Sequence, residues 1–264
     1  MPSPVGRIPP TGRWSGPCRI GRVQEHVGAF ASATGRDLEE GGAGQPRYRR
    51  YQHELIAPHC GRSVLEVGAG LGEFAVQFEN LDRLVVTDVD PGAVEVLRQR
   101  FADRPEVEAR QLALGDELTL DRPVESIVAI NVLEHIDDDA GALRSLAGLL
   151  APGGSIVLWV PGYQQLYGEF DRRVGHVRRY TPATVAAAVV RAGLQVEVAK
   201  PVNLLGGIAW WAAVRRGGST SPNPRLVGIY DRFVVPVTRA VERRIPVPFG
   251  QSVLCVARTP AEPC

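Results

Sequence analysis

An apolar run that ends in closely spaced glycines, residues 63–74 (SVLEVGAGLGEF), constrains the fold more than any other stretch. The apolar residues predict a buried parallel strand, and Phe74, Ala75 and Phe78 predict a helix after a tight turn. Glycine is needed where the backbone takes a positive φ, or where a ligand lies directly against the chain. The glycines alternate as G-x-G-x-G, so the spacing differs from the G-x-G-x-x-G of dinucleotide-binding turns and disfavours an NAD-linked oxidoreductase.

Two carboxylates belong to the first two predicted strands. Glu66 lies inside the first strand, where a buried carboxylate needs a partner such as a cationic amino-acid ligand. Residues 84–88 predict a second buried strand, and Asp88 at its carboxyl end could accept both hydroxyls of a ribose. Asp90 is expected to cap the helix that Pro91 opens.

The rest of the chain alternates between predicted strands and helices, which indicates a doubly wound α/β sheet. We predict further strands at 107–112, 126–131, 155–160, 194–200 and 252–258, and helices at 47–59, 91–101, 140–150 and 181–192.

Length, charge and cysteine usage narrow the class of protein. The 264 residues suit one α/β domain with embellishments, and we expect a poorly ordered leader at 1–46 before a domain at 47–264. The net charge of +1 argues against a nucleic-acid binder. Four scattered cysteines indicate free thiols rather than a zinc site or a disulfide framework. No signal segment and no long apolar run is recognised, so we expect a cytoplasmic protein.

Three segments carry a resemblance to a known family: GRSVLEVGAG at 61–70, NVLEH at 131–135 and GHVRRYT at 175–181. The chain resembles class I S-adenosylmethionine (SAM) methyltransferases, in particular a bacterial subgroup often found beside family 2 glycosyltransferases. The resemblance implies a Rossmann-like sheet of seven strands whose last strand is an antiparallel edge strand. It also implies methyl transfer from SAM, with S-adenosylhomocysteine as product. The acceptor would be an O, N or activated C nucleophile of a small molecule, in natural-product or glycan tailoring.

The same resemblance implies a set of cofactor-binding residues at the carboxyl ends of the strands. An acid that many members use for the adenine is displaced here to Asp116, so the backbone after the third strand would serve instead. The cofactor-binding residues are predicted to be Glu66, Gly68, Ala69, Gly70, Asp88, Val89, Ala113, Leu114 and Asn131.

Two insertions, 161–180 and 201–250, are expected to form the acceptor side. His135 and His176 are the candidate general bases at neutral pH. The arginines of the first insertion suit an anionic acceptor group, unless they pair with nearby acids such as Asp171 and Glu169. The second insertion could instead form a homodimer surface, and the tyrosines of the 47–59 helix could simply pack that helix down. The predicted substrate-binding residues are Tyr51, Tyr163, Tyr167, Arg178, Arg179 and Tyr180.

Two alternatives stay open. We expect no metal. However, Glu134, His135 and His176 would be three ligands in a segment that resembles the metal-binding Glu-x-x-Glu-His of small-RNA 2′-O-methyltransferases, with Asn131 in place of the first Glu. The chain could also be a SAM-binding protein that regulates, or that catalyses a reaction other than methylation.

Overall fold

The computed structural model describes residues 45–114, 119–215 and 224–260. The leader up to residue 44, Asp116, Cys18 and Cys264 lie outside these ranges. The strands are β1 Ser63–Val67, β2 Arg83–Asp88, β3 Val107–Gln111, β4 Val124–Ile130, β5 Leu150–Pro161, β6 Gln195–Val202 and β7 Ser252–Arg258. The helices are α1 Pro46–Ile56, α2 Pro91–Arg100, α3 Asp139–Ala147, α4 Glu169–Val174, α5 Pro182–Arg191, α6 Leu204–Arg215, α7 Pro224–Ile229 and α8 Val235–Glu242.

All seven strands form one sheet in the order β3-β2-β1-β4-β5-β7-β6. The first five strands in this order run parallel, and β7 is antiparallel to both β5 and β6. The predicted doubly wound, seven-stranded sheet with an antiparallel last strand is confirmed. The edge position predicted for β7 is wrong: β7 lies between β5 and β6, pairs with both, and has nearly all its residues buried.

Helices cover both faces of the sheet, which gives two hydrophobic clusters. On one face, Leu143 of α3 and Val185 of α5 pack against alternate strand residues such as Leu65. On the other face, Tyr51 of α1 and Leu97 of α2 pack against the remaining strand residues. This division follows from the two-residue period of a strand, which sends successive side chains to opposite faces.

Two predicted helices differ from the structure. The helix expected after the glycines is only a 3₁₀ turn, Ala75–Gln77, because the backbone becomes extended at Phe78. The helix predicted at 140–150 ends at Ala147, and β5 starts at Leu150, since Leu150 pairs with β4 before a register shift.

The predicted helix caps are confirmed. The Asp90 side chain accepts a hydrogen bond from the Gly92 N–H, and Thr181 accepts one from the Thr184 N–H. Pro91 and Pro182 occupy the first turns of these two helices, where a missing N–H costs nothing.

The two insertions leave the sheet at neighbouring strand ends and pack against each other. Trp210 of α6 donates its indole N–H to the Leu166 carbonyl at 3.0 Å and meets the Phe170 ring edge-on at 5.2 Å. The Arg179 guanidinium lies 5.4 Å from the Trp210 ring. Each helix that the structure describes is too short or too polar to span a lipid bilayer.

Candidate active site

The loop after β1 is a backbone cradle built by glycine. Gly68, Gly70 and Gly72 all have positive φ, at 69°, 54° and 79°. A Cβ added to Gly68 would come within 2.7 Å of the Val132 side chain. The loop is tied to the next strand, because the Ala69 N–H donates to the Thr87 carbonyl at 2.7 Å. A side chain at Gly68 would therefore both strain the backbone and crowd the cradle.

Asp88 at the end of β2 has its carboxylate fixed by two backbone donors. One oxygen accepts the Gly70 N–H and the other accepts the Asp90 N–H, both at 2.9 Å. Each carboxylate oxygen can accept a second hydrogen bond, so the group can still take two hydroxyls. The glycine loop thus helps to set the orientation of Asp88, the acid at the end of the neighbouring strand.

Glu66 is buried within β1, with 2% of its surface exposed. It pairs with Val86 of β2 and Val128 of β4, both in the cluster that α1 covers. Because residues level with each other in a parallel sheet point to the same face, the carboxylate lies on the α1 side. Burial raises the pKa of the nearby Cys60 thiol to about 12, and the charge of Glu66 adds to this. Cys60 and Cys255 are free thiols, as predicted.

The ends of the next strands complete this edge of the sheet. Val89 is half exposed, and its carbonyl accepts a hydrogen bond from the Gln111 side chain at 3.0 Å. Ala113 and Leu114 follow β3 and are partly exposed. Asn131 follows β4 with a φ of 53°, and its N–H donates to the Trp159 carbonyl at 2.8 Å. All predicted cofactor residues thus lie at the carboxyl ends of adjacent parallel strands, where ligands bind in such sheets.

These groups fit a nucleoside with a cationic amino-acid tail. The fixed Asp88 carboxylate suits a ribose diol, and the glycine cradle lets a ligand approach the backbone. Glu66, in the strand that leads into this loop, supplies a negative charge for an ammonium or sulfonium centre. The residues therefore match the chemistry of SAM.

The two candidate histidines meet at this edge although they are 41 residues apart. Their ring centroids are 4.7 Å apart, with the rings nearly perpendicular. His135 is half-buried in the turn after β4, and His176 is buried in the first insertion. His176 Nε2 also lies 3.7 Å from a carboxylate oxygen of the fully buried Glu134.

A buried carboxylate, Asp171, fixes the His176 ring. His176 Nδ1 lies 2.8 Å from one Asp171 oxygen, and Arg179 binds both Asp171 oxygens at 2.8 and 3.1 Å. The Gly168 N–H adds a fourth hydrogen bond. Burial alone would raise the pKa of Asp171, but the bond to His176 and the charge of Arg179 hold it below its ordinary range. An ionised Asp171 accepts a hydrogen bond from Nδ1, so this carboxylate fixes the orientation of the ring and places Nε2 on the side of Glu134.

Three of the four arginines of the first insertion are bound to carboxylates of the chain. Arg178 pairs with Asp139 at 3.0 Å, Arg179 with Asp171, and the exposed Arg172 with Glu169. Asp139 also accepts Arg191 at 3.0 Å and the Tyr180 hydroxyl at 3.3 Å. The geometry matches the alternative in which these arginines pair with acids, and it gives no support from Arg178 or Arg179 to an anionic acceptor.

The predicted substrate tyrosines divide into two groups. Tyr51 is buried edge-on against Trp159 and its hydroxyl bonds to Glu242, while Tyr180 is 1% exposed, so both serve packing in this structure. Tyr163 and Tyr167 are partly exposed. Their hydroxyls donate to the carbonyls of Pro248 at 3.0 Å and of His176 at 2.7 Å. Tyr163 also lines an apolar pocket of about 600 Å³ beside α6.

Sequence reasoning missed two residues of this region. Asp171 was considered only as a partner for arginine, yet it also holds His176. Asn203, which has a φ of 63°, receives the Tyr230 hydroxyl and donates its amide to Gln251, thereby closing the base of the second insertion. No local pattern marks Asn203, because its partners lie 27 and 48 residues away.

Comparison with known proteins identifies the family to which the chain belongs. A family described as a methyltransferase domain matches residues 65–156. A probable S-adenosylmethionine-dependent methyltransferase of Mycolicibacterium smegmatis is 30% identical over 178 residues, which covers 65% of this chain and 68% of the relative. One of the same description from Mycobacterium tuberculosis is 30% identical over 158 residues, and the chain spans only 56% of its length.

Solved structures agree on the fold. The N-methyltransferase NodS of Bradyrhizobium japonicum, crystallised with S-adenosylhomocysteine, superposes with a TM-score of 0.51 at 17% identity, covering 81% of this chain and 86% of NodS. A methyltransferase of Haloferax volcanii solved with the Trm112 activator gives 0.58 at 17% identity, covering 86% and 95%. With its glycine cradle, its ordered sheet edge and these relatives, the chain belongs to the SAM-dependent methyltransferases, enzymes that use SAM as methyl donor.

Proposed function

We propose that this enzyme methylates an O, N or activated C nucleophile of a small molecule, in natural-product or glycan tailoring. The observation that carries the small-molecule part is that three of the four arginines in the first insertion pair with carboxylates: Arg172, Arg178 and Arg179. Polynucleotide binding depends on free cations that contact phosphates, and these guanidinium groups already have anionic partners. An anionic acceptor would have to displace Asp139 or Asp171, so the proposal does not require a negative charge on the acceptor.

The cofactor would be held by the residues of the sheet edge. Asp88 would accept the ribose hydroxyls, and Glu66 would compensate the positive charge of the methionine part. Ala113 and Leu114 would flank the adenine, and Asn131 would face the methionine end. When bound, SAM supplies an electrophilic methyl group on a sulfonium. The other residues proposed to contact SAM are Gly68, Ala69, Gly70 and Val89.

His135 is the proposed general base. His135 is less buried than His176. Of the two rings, it is therefore the one that an acceptor bound at this edge of the sheet can reach. His176, fixed by Asp171, stands edge-on to it and would act as a positioning residue. The chain would otherwise contribute alignment of the nucleophile and exclusion of water.

A labelled-methyl assay tests the acceptor class. The full chain would be incubated with labelled SAM and three groups of acceptors: glycans, phenolic or amine natural products, and bulk tRNA. Label is expected in a small molecule and not in tRNA. Label in tRNA alone would overturn the small-molecule proposal. SAM binding by calorimetry without transfer to any acceptor would favour the non-methylating alternative.

Metal-assisted methyl transfer is a second candidate function, and one observation favours it. Glu134, His135 and His176 each bring one ligand atom to within 4.8 Å of the others. Two imidazoles and a carboxylate suit a divalent transition-metal ion. A metal-bound histidine usually has a hydrogen-bond partner on its other ring nitrogen, and the Asp171 carboxylate at His176 Nδ1 is such a partner. A bound ion would polarise an acceptor oxygen.

Chelation separates the two candidates. In the metal-free mechanism that we prefer, dialysis against a chelator leaves turnover unchanged, and elemental analysis finds less than one ion per chain. In the metal-assisted mechanism, turnover falls and returns with Zn²⁺ or Mn²⁺, and calorimetry gives one site that His135→Gln removes. The matched control is His53→Gln, since His53 lies on α1 away from the cluster.

A further inference from the structure

A stripe of exposed apolar side chains runs along the helical segment 224–242, which consists of α7, a π-helical turn at Tyr230–Val234 and α8. Leu226, Ile229, Phe233 and Val237 are between 52% and 64% exposed. Their spacing of three and four residues places them on one side of the helix. Four large apolar side chains in one exposed row are more than scattered surface hydrophobics, and such a row marks an interaction surface.

The orientation of this segment is fixed by its opposite side. The buried Asp231 carboxylate accepts the backbone N–H groups of Arg47 and Tyr48, in the first turn of α1, at 3.3 and 2.8 Å. Val235 and Thr238 are also buried. The exposed row is therefore the outer surface of a helix that is already docked on the domain.

The exposed charged residues of this segment, and of the residues just after it, are arginines. Arg232 and Arg244 are exposed, and the exposed Arg243 pairs with Glu54 of α1 at 3.2 Å. The two acids of the segment point elsewhere: Asp231 caps α1, and Glu242 accepts the Leu204 N–H at 2.8 Å and the Tyr51 hydroxyl. Within the described residues 224–250, no carboxylate is fully exposed on this surface.

We propose that the 224–242 segment docks on an anionic phospholipid surface. A helix that lies in a membrane interface needs an apolar row for the acyl boundary and arginines that reach the headgroups, and this segment has both. No described helix can span a bilayer, so binding would be peripheral.

Charge argues for lipid rather than for a second copy of the chain. In a twofold-symmetric dimer, the same patch of both copies is in contact. The exposed arginines of one copy would therefore approach those of the other. Like charges across an interface disfavour association, whereas anionic headgroups compensate them.

Co-sedimentation with vesicles tests the proposal. The full chain is expected to bind vesicles that contain phosphatidylglycerol, to bind pure phosphatidylcholine weakly, and to be released by salt. Phe233→Ser is expected to lower binding by roughly tenfold, since an inserted Phe side chain contributes on that order. The matched control, Val190→Ser, removes an equally exposed apolar residue from α5 and should change nothing.

SAM affinity of Phe233→Ser, which should equal that of the unmodified chain, shows that the variant is folded. Equal binding of Phe233→Ser and Val190→Ser to anionic vesicles would overturn the proposal. So would a chain that ignores the vesicles and sediments as a dimer which Phe233→Ser makes monomeric, because the occupant would then be a second copy.

Discussion

Replacing His135 with glutamine is expected to lower the turnover of methyl transfer by about 10²–10⁴-fold, the usual contribution of a general base. The reason is that the acceptor proton would lose its receiving group, while the residues proposed to hold SAM are untouched. Steady-state kinetics with the acceptor found by the labelling assay would measure the effect. SAM affinity, measured by calorimetry, should stay the same.

Two further variants make the assignment specific. His176→Gln should also lower turnover, because its ring positions His135, but a base role for His135 predicts that only His135→Gln removes the acidic limb of the pH–rate profile. His59→Gln is the control, since His59 stands just before β1, at the opposite end of that strand from the site. Near-normal turnover of both His135→Gln and His176→Gln would mean that catalysis needs no histidine base.

The sheet edge could be predicted from sequence because its signals are local. A strand, its glycine turn and the carboxylate at the end of the next strand lie within 26 residues, from Ser63 to Asp88. The turn requires glycine for its positive φ, and Asp90 and Pro91 mark the start of the helix after Asp88. Each element is dictated by residues inside or beside it, so no knowledge of distant contacts was needed.

The acceptor side could not be predicted in the same way, because its contacts are distant in sequence. Arg178 pairs with Asp139, 39 residues before it, and Trp210 donates a hydrogen bond to Leu166, 44 residues before it. A cluster of arginines looks like an anion site until its carboxylate partners are placed. The position of β7 inside the sheet likewise depends on β5 and β6, from which the second insertion separates it.

Two buried carboxylates that hold the first insertion illustrate how a specific site can be built on a nearly neutral chain. Asp171 in α4 makes four hydrogen bonds, and Asp139 in α3 accepts bonds from Arg178, Tyr180 and Arg191. Removing one partner of such a buried pair costs far more than a surface ion pair contributes. We infer that these arginines order the segment that carries His176, which is a positioning function rather than a direct contact with the acceptor.

Replacing Asp88 with alanine is expected to weaken SAM binding by roughly 1–3 kcal/mol, that is by about 5- to 150-fold, because two ribose hydroxyls would lose their acceptor. Asp88 also ties Gly70 to Asp90, so its loss frees the glycine loop as well. Asp88→Asn keeps the shape and one acceptor oxygen, so its SAM affinity should lie between those of the unmodified chain and Asp88→Ala. Asp90→Ala is the matched control: it removes the cap of α2 and lowers stability, but leaves the Asp88 carboxylate and therefore SAM affinity in place. Calorimetry with SAM and S-adenosylhomocysteine measures all four proteins. Unchanged affinity of Asp88→Ala would exclude this carboxylate as the ribose ligand, and an equal loss in Asp90→Ala would trace the effect to the helix instead.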